Sequence, residues 1–127
     1  MTDPSTPPGS PDAGLVLDPD TVAQLQQAQI DYGNPQFISQ LIGIYKKNAP
    51  GRVEEIRLAI AARDAAKLAH VAHTLKSNCS MLGALRMARI CNSLEDLGDA
   101  ASFDGTEALQ AELAAELPRV LNALDEL

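Results

Sequence analysis

Aromatic side chains are scarce, at 3% of the 127 residues, so any core must be built from Leu, Ile, Val and Ala within an apolar share of 46%. β-Branched residues are sparse as well, and no run of alternating apolar and polar residues competes as a strand. Basic charge is short: the net charge is −7, which argues against sequence-independent binding to nucleic acid, because phosphate backbones select basic faces. Two cysteines, Cys79 and Cys91, are too few and too far apart for a zinc module or a redox pair. Both fall at apolar helical positions and read as reduced core thiols. No window approaches the roughly 18 apolar residues that a membrane-spanning helix needs. The opening "MTDPSTPPGSPDAG" has neither the basic end nor the apolar centre of a signal peptide, so the expected location is cytoplasmic, with no membrane contact.

What remains is material for helices. Residues 1–14 hold four of the eight prolines among Ser, Thr, Asp and Gly, and are expected to form a disordered tail ahead of a domain over 15–127. Asp18 and Pro19 are placed to cap and open a short helix. Asn34 and Pro35 repeat that device before Phe37, Leu41, Ile44 and Tyr45, and Pro50–Gly51 is expected to break the pattern before Val53, Ile56 and Ile60. From Ala65 to Leu82 the residues Leu68, Val71, Ala72, Leu75, Cys79 and Leu82 form one apolar stripe, and Gly83 can end that helix in a left-handed conformation. Met87, Ile90, Cys91, Leu94 and Leu97 mark another helix, which Gly98 and the polar stretch after it should close. Asp104 and Glu107 form a capping-box pattern before the last helix, in which Pro118 should introduce a kink. The simplest arrangement is an all-α, antiparallel up-down-up-down four-helix bundle with an additional short N-terminal helix.

Within "AHTLKSNCSMLGA" the polar residues fall on one side of the helix. With the apolar stripe at zero, His73 lies at roughly 140°, Lys76 near 80°, Ser80 near 120° and Ser77 near 180°. His73 should therefore face water, with only Ala66, Ala69 and His70 one turn earlier. An imidazole in water titrates near pH 6.5, so a neutral, nucleophilic form predominates slightly above neutrality without a buried base. Phosphorylated, it would carry about two negative charges, by analogy with other phosphorylated side chains. Lys76, one turn on, could offset part of that charge. Nine of the ten basic residues lie between Lys46 and Arg89, against Glu54, Glu55 and Asp64, and that basic middle fits either a solvated helix face or an acidic or phosphorylated partner.

The run "AHTLKSNCSMLGALRMARICNSLE" resembles the signature of histidine-containing phosphotransfer (HPt) domains, A-H-x-L-K-[GS] followed by an apolar residue, G-A, a Cys and L-E. The resemblance extends upstream to Phe37. It implies a phosphocarrier without kinase activity of its own, in a multistep two-component phosphorelay. His73 would accept a phosphoryl group from a receiver-domain aspartate and pass it to another receiver. It assigns Lys76 and Ser77 to the phosphoryl group, with Ser77 standing where many members have Gly, and Gly83 to close packing at the site. It implies no metal or cofactor in the chain itself, with Mg²⁺ supplied by the receiver. The implied partners are response-regulator receivers, including that of a hybrid sensor histidine kinase, and the expected state is a monomer. Glu95 falls near the active face without being assigned a contact. Ile38 and Ile42 exceed what one helix face needs and serve either partner docking or packing against the N-terminal helix. Two alternatives stay open: an HPt-like adaptor that inhibits a kinase or receiver without carrying phosphate, and a direct phosphoacceptor of a chemotaxis-type kinase. A metal site in the bundle is disfavoured, because such sites use inward-pointing Glu-x-x-His pairs, absent here.

Overall fold

A computed structural model describes residues 16–127, and the tail expected over residues 1–14 lies outside them. Five helices follow one another: α1 (Pro19–Asp31), α2 (Phe37–Ala61), α3 (Ala65–Met81), α4 (Leu85–Asp99) and α5 (Thr106–Asp125). Short turns make consecutive helices antiparallel. α3 packs on α2 and α4, while α5 closes the ring against α2 and α4, giving the up-down-up-down bundle; α1 lies against α2. The stripes meet in one core, where Ile56, Leu68, Leu75, Met87, Leu94, Leu113, Val120 and Leu124 are fully buried. None of the described helices is long and apolar enough to cross a membrane.

α1 begins as its sequence dictates. The Asp18 carboxylate accepts from the Thr21 backbone N–H at 3.1 Å and from its hydroxyl at 2.7 Å. The Asp18 N–H donates to the Gly83 carbonyl at 2.8 Å, tying the start of α1 to the α3–α4 turn. Gly83 ends α3 with φ of 81°, and a Cβ there would sit 3.0 Å from Thr21 Cβ.

Four local expectations are corrected. Pro50 and Gly51 do not interrupt α2. Tyr45, Ala49, Val53, Ile56 and Ile60 stay in phase and buried across an exposed Pro50, so core burial outweighs the single backbone hydrogen bond that proline removes. Asn34 does not cap α2. Its side-chain oxygen instead accepts from the Gln36 N–H at 3.0 Å in a local turn, and the helix starts after Gln36 without a side-chain cap. The Asp104–Glu107 box does not form, because Gly105, with φ of 79°, takes the cap position and puts Asp104 one residue too early. Gly98 does not close α4 but lies buried within its last turn.

Two buried polar links were not visible in the sequence. Glu116, 3% exposed, pairs with Arg119 at 3.0 Å and Arg86 at 3.8 Å, joining α5 to α4. The Tyr45 hydroxyl donates to Met87 Sδ at 3.1 Å and lies 3.4 Å from Cys79 Sγ, and burial pushes the Tyr45 phenol well above its ordinary pKa. Cys79 and Cys91 are free thiols in the core.

Candidate functional site

The α3 stripe turns Leu68, Val71, Ala72, Leu75 and Cys79 inward, so His73 points out and its side chain is 60% exposed. Its Nδ1 lies 2.9 Å from Glu95 Oε2 on α4. Lys76 Nζ donates to the other oxygen of the same carboxylate at 2.6 Å and to Asn92 Oδ1 at 3.3 Å. One carboxylate, 17% exposed, thus holds both basic side chains. The Lys76 ammonium, then the bond to His73, keeps the Glu95 pKa below the ordinary carboxylate value against the opposing effect of burial. An ionised carboxylate only accepts, which places a ring proton on Nδ1 and leaves the Nε2 side of the neutral ring with its lone pair.

The residue that allows this contact is Gly98. A Cβ there would stand 2.7 Å from the Ala69 nitrogen and 2.9 Å from the Ala65 carbonyl oxygen, both α3 backbone atoms. Only a glycine lets α4 approach α3 this closely, and one turn away Glu95 comes within reach of His73.

Of the residues singled out in the sequence, His73 and Lys76 meet through Glu95. The Ser77 hydroxyl donates to the His73 carbonyl at 3.2 Å, bonding back to its own helix. Gly83 is not beside His73: ten residues along α3 amount to about 15 Å, and its close packing is against the start of α1. Glu95 and Asn92 were missed as contacts, because helix periodicity does not reveal the register between two helices. The available signal was an acidic residue next to buried Leu94, on the edge of the α4 stripe. No cluster of three or more metal-ligating side chains is present among the described residues.

At the start of α2, Phe37, Ile38, Leu41 and Ile42 are half-buried against the core, so Ile38 and Ile42 mainly serve packing. Ile44 is 60% exposed and, with Leu41, Asn48, Asn78 and Met81, lines an apolar cavity of about 160 Å³ between α2 and α3.

The Hpt domain profile matches residues 40–126, most of the chain. The chain belongs to the Hpt domain family. As an Hpt domain it is a phosphocarrier module with a phosphotransfer role in a phosphorelay. Among solved structures it resembles histidine-containing phosphotransfer protein B (HptB) from Pseudomonas aeruginosa PAO1, with a TM-score of 0.77 and 25% identity, covering 87% of this chain and 92% of that one. It is also 27% identical over 77 residues to multistep phosphorelay regulator 1 of Schizosaccharomyces pombe (strain 972 / ATCC 24843). That match takes in 61% of this chain but only 26% of the yeast protein, so the Hpt domain spans about a quarter of that relative's length.

The lowered Glu95 pKa has a direct consequence for stability. Its ionised carboxylate stabilises the folded state above the ordinary carboxylate pKa, and that contribution is lost as acid protonates it through its lower folded value. Between about pH 7 and about pH 3, wild type should therefore lose more thermal stability than Glu95→Gln, followed as the unfolding midpoint. Parallel profiles would show that the His73–Glu95–Lys76 arrangement adds nothing to stability.

Proposed function

We propose that this Hpt domain carries its phosphoryl group on His73, taking it from the aspartyl phosphate of one receiver domain and giving it to the aspartate of another. The observation that carries this reading is an exposed imidazole whose Nδ1 is held by Glu95, with Lys76 on the same carboxylate. On loading, the Nε2 lone pair attacks phosphorus. The bond from phosphorus to the receiver carboxylate oxygen breaks, and the carboxylate keeps that electron pair. Because Nδ1 keeps its proton, the ring becomes a phosphorylated imidazolium, whose positive charge Glu95 stabilises. Lys76 balances charge on the phosphoryl oxygens, and Ser77 leaves room beside them as a small residue. Unloading reverses each step, with the imidazole as leaving group. Mg²⁺ is expected to come with the receiver's acidic pocket, and no residue of this chain is assigned to hold it. A hybrid sensor kinase fits as the source of the donor receiver, and the apolar groove around Ile44 and Met81 fits the docking partner.

The test is incubation of the protein with phosphorylated receivers, followed by fragment mass analysis under conditions that preserve acid-labile phosphate. The phosphate should map to His73. Phosphate on another residue would refute the site, and a full panel of receivers that leaves the chain unlabelled would refute the phosphocarrier role.

A further inference from the structure

A lysine ammonium carries three N–H donors, and Lys76 spends two of them on α4, one on Glu95 Oε1 at 2.6 Å and one on Asn92 Oδ1 at 3.3 Å. Asn92 stands one turn before Glu95, so the two acceptors are neighbours along α4. The orientation of the Asn92 amide follows from its other end. Its Nδ2 donates to Asp96 Oδ2 at 3.5 Å, four residues on. Turned over, the amide would aim an N–H at an ammonium and an oxygen at a carboxylate, so both neighbours select the orientation with Oδ1 on Lys76. The two acceptors differ in kind. Glu95 is charged and shared with His73, whereas Asn92 is neutral and leaves the charge of Lys76 undiminished.

We infer that Asn92 is a positioning residue for phosphoryl transfer, holding the Lys76 ammonium so that its third donor meets the phosphoryl oxygens on His73. The inference rests on the proposed phosphocarrier role and adds a residue to it. With Glu95 alone, the ammonium would swivel about one oxygen at the end of a flexible stem. A second acceptor removes that freedom before the receiver arrives, so less ordering is left for the transition state. Lys76 follows His73 by one turn on α3, so an ammonium held in place stays beside the ring. Neutrality matters as well. Charge in the transition state spreads over three phosphoryl oxygens, and an ammonium paired with a second carboxylate would have less field to offer them. An amide oxygen restrains the ammonium without adding a competing anion.

The experiment follows His73 loading in the whole chain over a range of phosphorylated-receiver concentrations, for wild type, Asn92→Ala, Asn92→Asp, Lys76→Met and the double variant Asn92→Ala/Lys76→Met. The rate at saturating receiver should fall about fivefold in Asn92→Ala, with the half-saturating concentration within about twofold of wild type. Asn92→Asp keeps the size of the side chain and an acceptor oxygen but adds charge, and should be slower still. A merely structural asparagine would give the reverse order, with the near-isosteric aspartate the milder change. In the Lys76→Met background, Asn92→Ala should cost nothing further. Should Lys76→Met load too slowly to measure, the order of the two Asn92 variants decides. Asn92 is exposed on α4, so its variants should keep the fold, which circular dichroism would show. Unchanged saturating rates in the Asn92 variants, Asn92→Asp faster than Asn92→Ala, or an equal loss with and without Lys76 would overturn the positioning role. A wild type labelled on His73 whose Asn92 variants load normally keeps the phosphocarrier role and loses this inference, and a wild type that no receiver labels loses both.

Discussion

His73→Gln takes up no acid-labile phosphate from any receiver that labels the wild type, while His70→Gln labels as wild type does. Glutamine can still reach Glu95 with its amide, so the variant should fold. Its amide nitrogen, however, has its lone pair delocalised into the carbonyl and cannot attack phosphorus. The expected change is therefore complete loss of labelling, not a slower rate. His70 lies one turn earlier on the exposed side of α3, and its carbonyl accepts from the Thr74 hydroxyl at 3.1 Å. Glu95 contacts His73 and Lys76, leaving the ring of His70 outside this network. Labelling that survives in His73→Gln, detected by intact mass and phosphate analysis, would move the acceptor elsewhere.

Gly98→Ala is the second large effect, and it runs against helix propensity. In an exposed helix the substitution would gain about 1 kcal/mol. Here the added methyl meets the Ala69 nitrogen at 2.7 Å, the Ala65 oxygen at 2.9 Å and the Ala69 Cα at 3.0 Å. All three are backbone atoms, so no rotamer change relieves the contact and α4 must move away from α3. Overpacking of this kind costs about 1–3 kcal/mol, and Gly98→Val should cost more. Chemical denaturation should show a lower midpoint with an unchanged slope. The separation of α3 from α4 should also weaken the hold of Glu95 on His73, lowering the transfer rate of molecules that remain folded. An alanine variant as stable as wild type would show that the spacing of these helices adjusts freely.

These two residues mark what was legible in the sequence. The outward direction of His73 followed from α3 alone, because a stripe in phase over about four turns fixes every other position on the wheel, and Lys76 and Ser77 followed with it. The bundle was legible for the same reason, since each stripe needs a neighbour. Gly98 was read as a helix terminator and Glu95 as peripheral, because their roles depend on which turn of α4 faces which turn of α3. That register is set by close packing of backbones and leaves no periodic trace. Pro50, Asn34 and the Asp104–Glu107 pair misled in the opposite way: each carries a local signal that a competing interaction overrides. In α2 that competitor is the continuous buried stripe through Ala49 and Val53, and before α5 it is the left-handed Gly105.

The carboxylate shared by His73 and Lys76 bears on the economy of the whole relay. If His73 carries the phosphoryl group as proposed, Glu95 supports the same charged ring on the way in and on the way out, so it contains no ratchet. Net flux then follows the mass-action ratio of charged to uncharged partners, and a surplus of empty acceptor on either side can drain this carrier backwards as readily as forwards.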